Sequence, residues 1–391
     1  MKQQEQQIGP WPDMATAHSF LGRLYRSDWT EETLYVENHQ LDPPQLAAWA
    51  MTHDLGPLVY ARCHTQIHVL GKLLQQDFFS ATAETKLHTT CITQISQAFS
   101  EAGLPFVLLK GAALGQSVYD DPVLRPMSDI DIWLRDEDMA PAVATMLSLG
   151  YRSNEKDERP LRLQHLAKGE IQFTRSDWNW GLVELHWSPF PGWWLQRTAV
   201  VDEVAIWSRI EPIVPQSDDW RGQAYQLSPE DMVIHVAVHL AVNHQFGMAT
   251  LRSLLDIAFI AKSRSVNWPV VVERAKLWRL AATVYTTLDL LDKLIGVDGV
   301  KIALEELRPS RLHLKLLHHY ISPEAVLAGQ DLRHGRMRFI LLLLLVDRRR
   351  DMLKLIFRTL WPEEEWMEAR YGKNLISRWR HLWNVLRHDR I

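Results

Sequence analysis

The chain has 391 residues, 47% of them hydrophobic and 23% charged, so it can build a substantial core and suits two or three domains of roughly 150 residues each. A formal net charge of −4 excludes a chain-wide electrostatic pull toward nucleic acid or anionic membrane and leaves only local patches. The two cysteines, Cys63 and Cys91, have no CxxC or Cys/His spacing, which argues against a disulfide framework or zinc ribbon and fits a reducing cytoplasm.

The opening residues MKQQEQQIGPWPDM lack a basic stretch followed by an apolar one, so no secretory signal is expected. From about Ser19 to Ala102 the apolar spacing is helical, with Leu46 and Ala50 on one face and Val69, Leu70, Leu73 and Leu74 on another. Pro43 and Pro44 mark a helix start, and Gly56-Pro57 marks a break. After Gly103 and Pro105 the texture changes. Phe106 to Leu109 reads as a buried strand, and Gly111 opens a short helix, AALGQSVY. A loop with Asp120, Asp121, Pro122 and Pro126 leads to Ser128–Leu134, whose alternation predicts a second strand. Asp136 to Leu149 reads as a helix with an acidic first turn, stopped by Gly150.

Glu170–Thr174 and Leu182–Trp187 are two further strands, joined through SDWNWG as a hairpin. At Ser228 the chain turns helical again. SPED is a capping-box-like start, with Asp231 in place of the preferred Glu or Gln. Helical patterns follow at Leu251–Ala261, Trp268–Leu277 and Ala281–Ile295. The most apolar run, FILLLLLV from Phe339, falls far short of the roughly 20 residues a membrane-crossing helix needs. It reads as a buried helix segment. The expected architecture is α+β and mostly helical: helices over 1–102, a small mixed sheet within 103–215, and helices over 216–391.

The chemistry concentrates in LLKGAALGQSVYDDPVLRPMSDIDIWL, residues 108–134. Side chains alternate along a strand, so Asp129 and Asp131 share a face while Ile130, Ile132 and Leu134 point into the core. Two carboxylates this close resist ionising together, and a divalent cation removes that cost. Glu184, between Val183 and Leu185 in LVELHW, shares a face with His186 and is the candidate third carboxylate. Three acids on adjacent strands suit a two-metal phosphoryl or nucleotidyl transfer site. Upstream, Lys110-Gly111 sits where a strand meets a helix. There glycine allows close backbone approach to a phosphate and the helix start offers unpaired N–H groups. Lys110 adds a point charge, and Arg125 a forked donor for triphosphate oxygens.

In this order the pieces resemble the uncharacterised bacterial nucleotidyltransferase family, within the DNA-polymerase-β-like nucleotidyltransferase superfamily. The resemblance rests on LLKGAAL, the stretch from Tyr119 through Arg125 to SDIDIWL, Gly150-Tyr151, and VELHW. It extends to HLAVNHQFGMATLRSLLDIAFIAK, NWPVVVERAKLWRL and WPEEEWMEARYG. It implies that 103–215 is a nucleotidyltransferase core. Asp129 and Asp131 would be the metal-binding pair, Glu184 the third carboxylate, and Gly111 the glycine at the helix start. The superfamily usually carries Gly-Ser or Gly-Gly there, whereas Ala112 follows Gly111 here. Lys110, Ser117 or Arg125 would then supply the phosphate grip.

The expected activity is transfer of a nucleoside monophosphate from an NTP such as ATP to an acceptor, with two Mg²⁺ (or Mn²⁺) ions held by Asp129, Asp131 and Glu184. The acceptor could be a small molecule, a peptide, a protein or an RNA end. Two alternatives remain open. One is a catalytically degenerate nucleotide- or peptide-binding partner protein of a biosynthetic or defence cassette. The other is a DxD glycosyltransferase, against which the strand, Lys-Gly, helix order argues.

Other residues are weaker candidates. His186 would lie behind the metal ligands or serve as a structural histidine. His165 could meet substrate. His235 and His239 are four apart on one helix face, a metal-capable spacing with no evident third ligand. Asp256, four residues after Arg252, is expected to form an ion pair or helix contact. The basic stretches Arg348–Arg350 and Arg370–Arg390 read either as solvated helix faces or as docking sites for an acidic partner, RNA or a membrane surface.

Overall fold

The computed structural model describes residues 14–27, 35–36, 39–40, 42–154, 160–176, 178–214, 220–247, 250–329, 335–372 and 377–387. The architecture is α+β and mostly helical. Its main sheet has seven strands: β1 (Val107–Leu108), β2 (Asp129–Trp133), β3 (Arg152–Ser153), β4 (Glu170–Arg175), β5 (Trp178–His186), β6 (Glu211–Pro212) and β7 (Tyr225–Gln226). They lie in the order β3-β4-β5-β2-β1-β7-β6. The sheet is mixed: β2 runs parallel to β5 and antiparallel to β1, and β4 pairs antiparallel with β5. Pairing of β4 and β5 reaches Arg175↔Trp178, so the expected hairpin connection narrows to 176–177, of which 177 lies outside the described residues.

Besides β1, three of these strands, β3, β6 and β7, have only two residues each. That is too short for alternation to register in a sequence, and they are held by partners distant along the chain. The long strands follow the expected pattern. Ile130, Ile132, Leu134, Val183 and Leu185 cluster with Ile92, Ile95 and Phe99 of α1 (His68–Glu101), and with Met139, Ala142 and Met146 of α3 (Asp136–Ser148). Burying such side chains contributes about 1.5–3 kcal/mol each, which fixes which face of β2 is dry. The opposite face carries the two aspartates and Trp133. Trp133 packs edge-on against Trp207 at 4.8 Å and belongs to the larger apolar cluster of the surrounding helices.

Local signals account for the helix starts. Asp42 caps the Pro43–Thr52 helix by accepting from the Gln45 amide, and Ser228 accepts from the Asp231 amide at the start of α4 (Pro229–Val238). Gly56-Pro57 opens a helix, Gly56–Cys63, instead of only ending one, since proline at a first-turn position forfeits no hydrogen bond. The short helix α2 (Lys110–Ser117) leaves β1 directly and ends below the Pro122–Leu124 turn. After α4 the chain widens into a π-helical turn at His239–His244, followed by Gln245 and Phe246 at φ 49° and 56°, before α5 (Thr250–Ser263). Among the described residues no helix is long and apolar enough to cross a membrane.

Candidate active site

The parallel register of β2 and β5 sets Asp131 opposite Glu184 and Trp133 opposite His186, so the acids and the histidine share one face. Asp131 is fully buried. Its Oδ1 accepts from Lys110 Nζ at 2.7 Å and from His186 Nε2 at 2.8 Å. Glu184 is also buried; its Oε1 accepts from Gln172 Nε2 of β4 at 2.7 Å, and its Oε2 lies 3.5 Å from His186 Nε2. Asp129, half-buried at the mouth, accepts from Ser128 Oγ at 3.1 Å.

Two positive groups therefore face three carboxylates. Burial works against charging Asp131, yet the Lys110 ammonium and the hydrogen bond from His186 hold its carboxyl far below the usual carboxylate range. His186 is pushed up to about 9: burial opposes its charge, and the hydrogen bonds to Asp131 and Glu184 outweigh burial. Lys110 is raised by Asp131 against its own burial. Asp129 moves the other way from Asp131. Burial first, then the Asp131 charge, raise its pKa.

Asp131, Glu184 and His186 each offer a ligand atom, and these atoms lie within 4.8 Å of one another. With two carboxylates in it, that donor set is able to hold a divalent cation, and Asp129 stands on the same face two residues earlier. His186 thus lies among the potential ligands, closer in than the expectation of a place behind them.

Lys110 opens α2 with φ +47°, a left-handed backbone that costs a non-glycine residue about 1–2 kcal/mol. The preceding amide, of Leu109, donates to the Asp131 carbonyl at 3.0 Å, so Lys110 emerges beside the aspartate it contacts. Gly111 is required by crowding. A Cβ there would stand 2.9 Å from Arg125 Nη1 and from Met127 Cβ. Ala112 is buried in the apolar cluster under the sheet.

Of two further expected phosphate contacts, Ser117 is placed away from the cleft, while Arg125 lines it with its donors already engaged. Ser117 sits at the far end of α2, roughly 10 Å along the helix, with its hydroxyl donating to the Ala113 carbonyl. Arg125 is buried and its fork is already used. Nε and Nη2 donate to the Asp256 carboxylate at 2.8 to 3.1 Å, and Nη1 donates to the Pro126 carbonyl. Tyr119 also donates to Asp256, at 2.8 Å. Asp256 therefore does form an ion pair, with Arg125 of the loop before β2 and not with Arg252 one turn away.

A cleft of about 140 Å³ opens between α2, the Met127–Asp129 segment and the helices beyond, lined by Lys110, Gly111, Ser128 and Asp129 on one side and His239, His244 and Arg252 on the other. A water needs ~10–15 Å³ by this measure, so a phosphate chain has room. His235 and His239 are held neutral, chiefly by burial and then by the Lys110 charge, and join no metal-holding group among the described residues. His165, largely exposed, contacts Asp136 Oδ1 at 3.2 Å and lies edge-on to Trp187. Arg348, Arg350, Lys354 and Arg279 line a separate pocket around Asp351.

The strand pairing, the acids on one face and the lysine at the helix start agree with one family. The model of an uncharacterised nucleotidyltransferase family matches residues 39–296. This chain belongs to that nucleotidyltransferase family. No curated protein and no solved structure matches. The matched span covers every nucleotidyltransferase element described above, from α1 to α5, and includes Arg252 and the histidine turn. Membership supports a transferase that moves nucleoside monophosphates. Sequence reasoning passed over Arg252 as a pairing residue. Its signal was position: one turn before Asp256, it shares a helix face with a residue that meets Tyr119 and Arg125 beside the cleft.

Proposed function

We propose that the protein transfers a nucleoside monophosphate from an NTP to an acceptor and releases pyrophosphate. The observation that carries this reading is the Asp131↔Glu184 register, which sets two buried carboxylates side by side below a lysine at a helix start. Asp129, Asp131 and Glu184 would hold Mg²⁺, which when bound neutralises charge on the reacting phosphate and the leaving pyrophosphate. Lys110 and the first amides of α2 bind the phosphate chain. Gln172 orients Glu184 through the 2.7 Å hydrogen bond, and His186 fixes Asp131 through the oxygen that Lys110 also contacts. Such preorganised charge supplies most of the acceleration in phosphate chemistry. The basic C-terminal face, with Arg350 and Lys354 beside exposed Leu353 and Phe357, is where this reading places contact with an acidic partner.

One observation favours a second reading. Lys110 and His186 already satisfy Asp131 without an added cation, as a nucleotide-binding module that has lost catalysis would require. Incubation with α-labelled NTPs, Mg²⁺ and candidate acceptors separates the two. Label transfer with pyrophosphate release, abolished in Asp131→Asn, supports transfer. Saturable NTP binding without turnover supports the binding module.

A further inference from the structure

Arg252 projects from α5 into the same cleft as Lys110 and Asp129. Its neighbour Arg125 is balanced by fully buried Asp256 through three hydrogen bonds. Arg252 is balanced differently. Its Nη1 meets Asp54 Oδ2 at 3.0 Å, and that carboxylate is 51% exposed. Its Nε is buried with no hydrogen-bond partner. A buried, unpaired guanidinium donor is costly, by about 1–3 kcal/mol. Two guanidiniums facing one cleft also repel, and burial followed by the Arg125 charge lowers the Arg252 pKa. The position is therefore under-compensated. Asp54 itself sits at φ +55° in the short turn between two N-terminal helices, and its side chain reaches Arg252 of α5. Opposite Arg252 stand the donors Lys110 and the first amides of α2, with the Asp129 carboxylate next to them. A linear polyanion spanning the cleft would satisfy both sides, and a planar guanidinium suits phosphate oxygens.

We infer that Arg252 is the outer half of a polyphosphate subsite completed by Lys110 and Gly111, and that Asp54 is a latch which the incoming polyphosphate displaces. The inference rests on the nucleotidyl-transfer reading for the identity of its ligand, the triphosphate of an NTP. It assigns to Arg252 the role that sequence gave to Arg125.

The test is calorimetric titration of the full chain with inorganic tripolyphosphate in the presence of a chelator, for wild type, Arg252→Gln, Arg252→Lys and Asp54→Asn. Expected are roughly 10- to 100-fold weaker binding in Arg252→Gln, a smaller loss in Arg252→Lys, and binding tightened about 1.5- to 5-fold in Asp54→Asn. Thermal melts run alongside show whether Arg252→Gln changes the fold. A merely structural arginine lowers the melting temperature and leaves the affinity of the folded fraction unchanged. The subsite is overturned if wild type fails to bind tripolyphosphate, if Arg252→Gln binds as wild type does, or if Asp54→Asn binds no tighter than wild type. Label transfer from NTP with undiminished tripolyphosphate affinity in Arg252→Gln removes the subsite alone. Arg252-dependent binding without any transfer removes the transfer reading alone.

Discussion

Neutralising Asp129 and neutralising Asp131 should have opposite effects on stability, although the two residues look equivalent in the sequence. Two like charges on one strand suggest that replacing either with asparagine relieves repulsion. The structure restricts that argument to Asp129, whose carboxyl is raised by burial and by Asp131 and which gains from losing its charge. Asp131 is the shared acceptor for Lys110 at 2.7 Å and His186 at 2.8 Å. Asp131→Asn turns both charge-assisted hydrogen bonds into weaker ones and strands two cations. Such bonds contribute ~1.5–3 kcal/mol each, and His186 can limit the loss by shedding its proton, so the net cost is about 2–4 kcal/mol. In a chain of 391 residues that corresponds to a fall of about 2–5 °C in melting temperature. The assay is thermal unfolding of wild type, Asp129→Asn and Asp131→Asn with a chelator present, so that metal affinity does not enter. Asp131→Asn melting at or above wild type, or Asp129→Asn falling as far as Asp131→Asn, would refute the charge assignment.

Three further outcomes are expected. Asp256→Asn leaves the Arg125 guanidinium buried without its countercharge and should cost about 3–5 kcal/mol, read by denaturant unfolding; a loss below about 1 kcal/mol would mean water reaches Arg125. Gly111→Ala drives a methyl to 2.9 Å from Arg125 and Met127 and should destabilise by about 1–3 kcal/mol; an unchanged midpoint would show that the Arg125–Met127 segment yields freely. The third concerns pH. His186 is protonated more readily in the fold than in the unfolded chain, so its contribution is fully present below about pH 6.5 and fades as pH rises through about 9. Chelated wild type should lose melting temperature across that window more steeply than His186→Gln, and parallel curves would contradict the assignment.

The pairing of Asp131 with Glu184 was legible because two alternating strands with buried Ile, Val and Leu leave one face for the acids, and parallel register then sets the acids side by side. The lysine at the strand-to-helix junction was legible for a similar reason, since Gly111 marks where the chain must turn. What Arg125 does was hidden. A guanidinium takes whichever carboxylate the fold brings near, and Asp256 lies 131 residues away. Ser117 was misplaced along its helix because spacing alone does not say which end of α2 faces the cleft. The π-helical turn leaves no composition signal. The register it imposes, with His239 stacked on His244 at 4.5 Å, depends on packing from α5 and the helices beyond.

The parallel pairing of β2 with β5 also bears on how the site comes into being. The two strands are separated by α3, β3 and β4, so the acids meet only after about 50 residues of crossover have found their places. Contacts of that sequence separation form slowly, and these bring like charges together. If the site holds magnesium as proposed, newly made or partly unfolded chains would present scattered carboxylates with little affinity for it, and ion capture would be a late event that reports completion of the sheet.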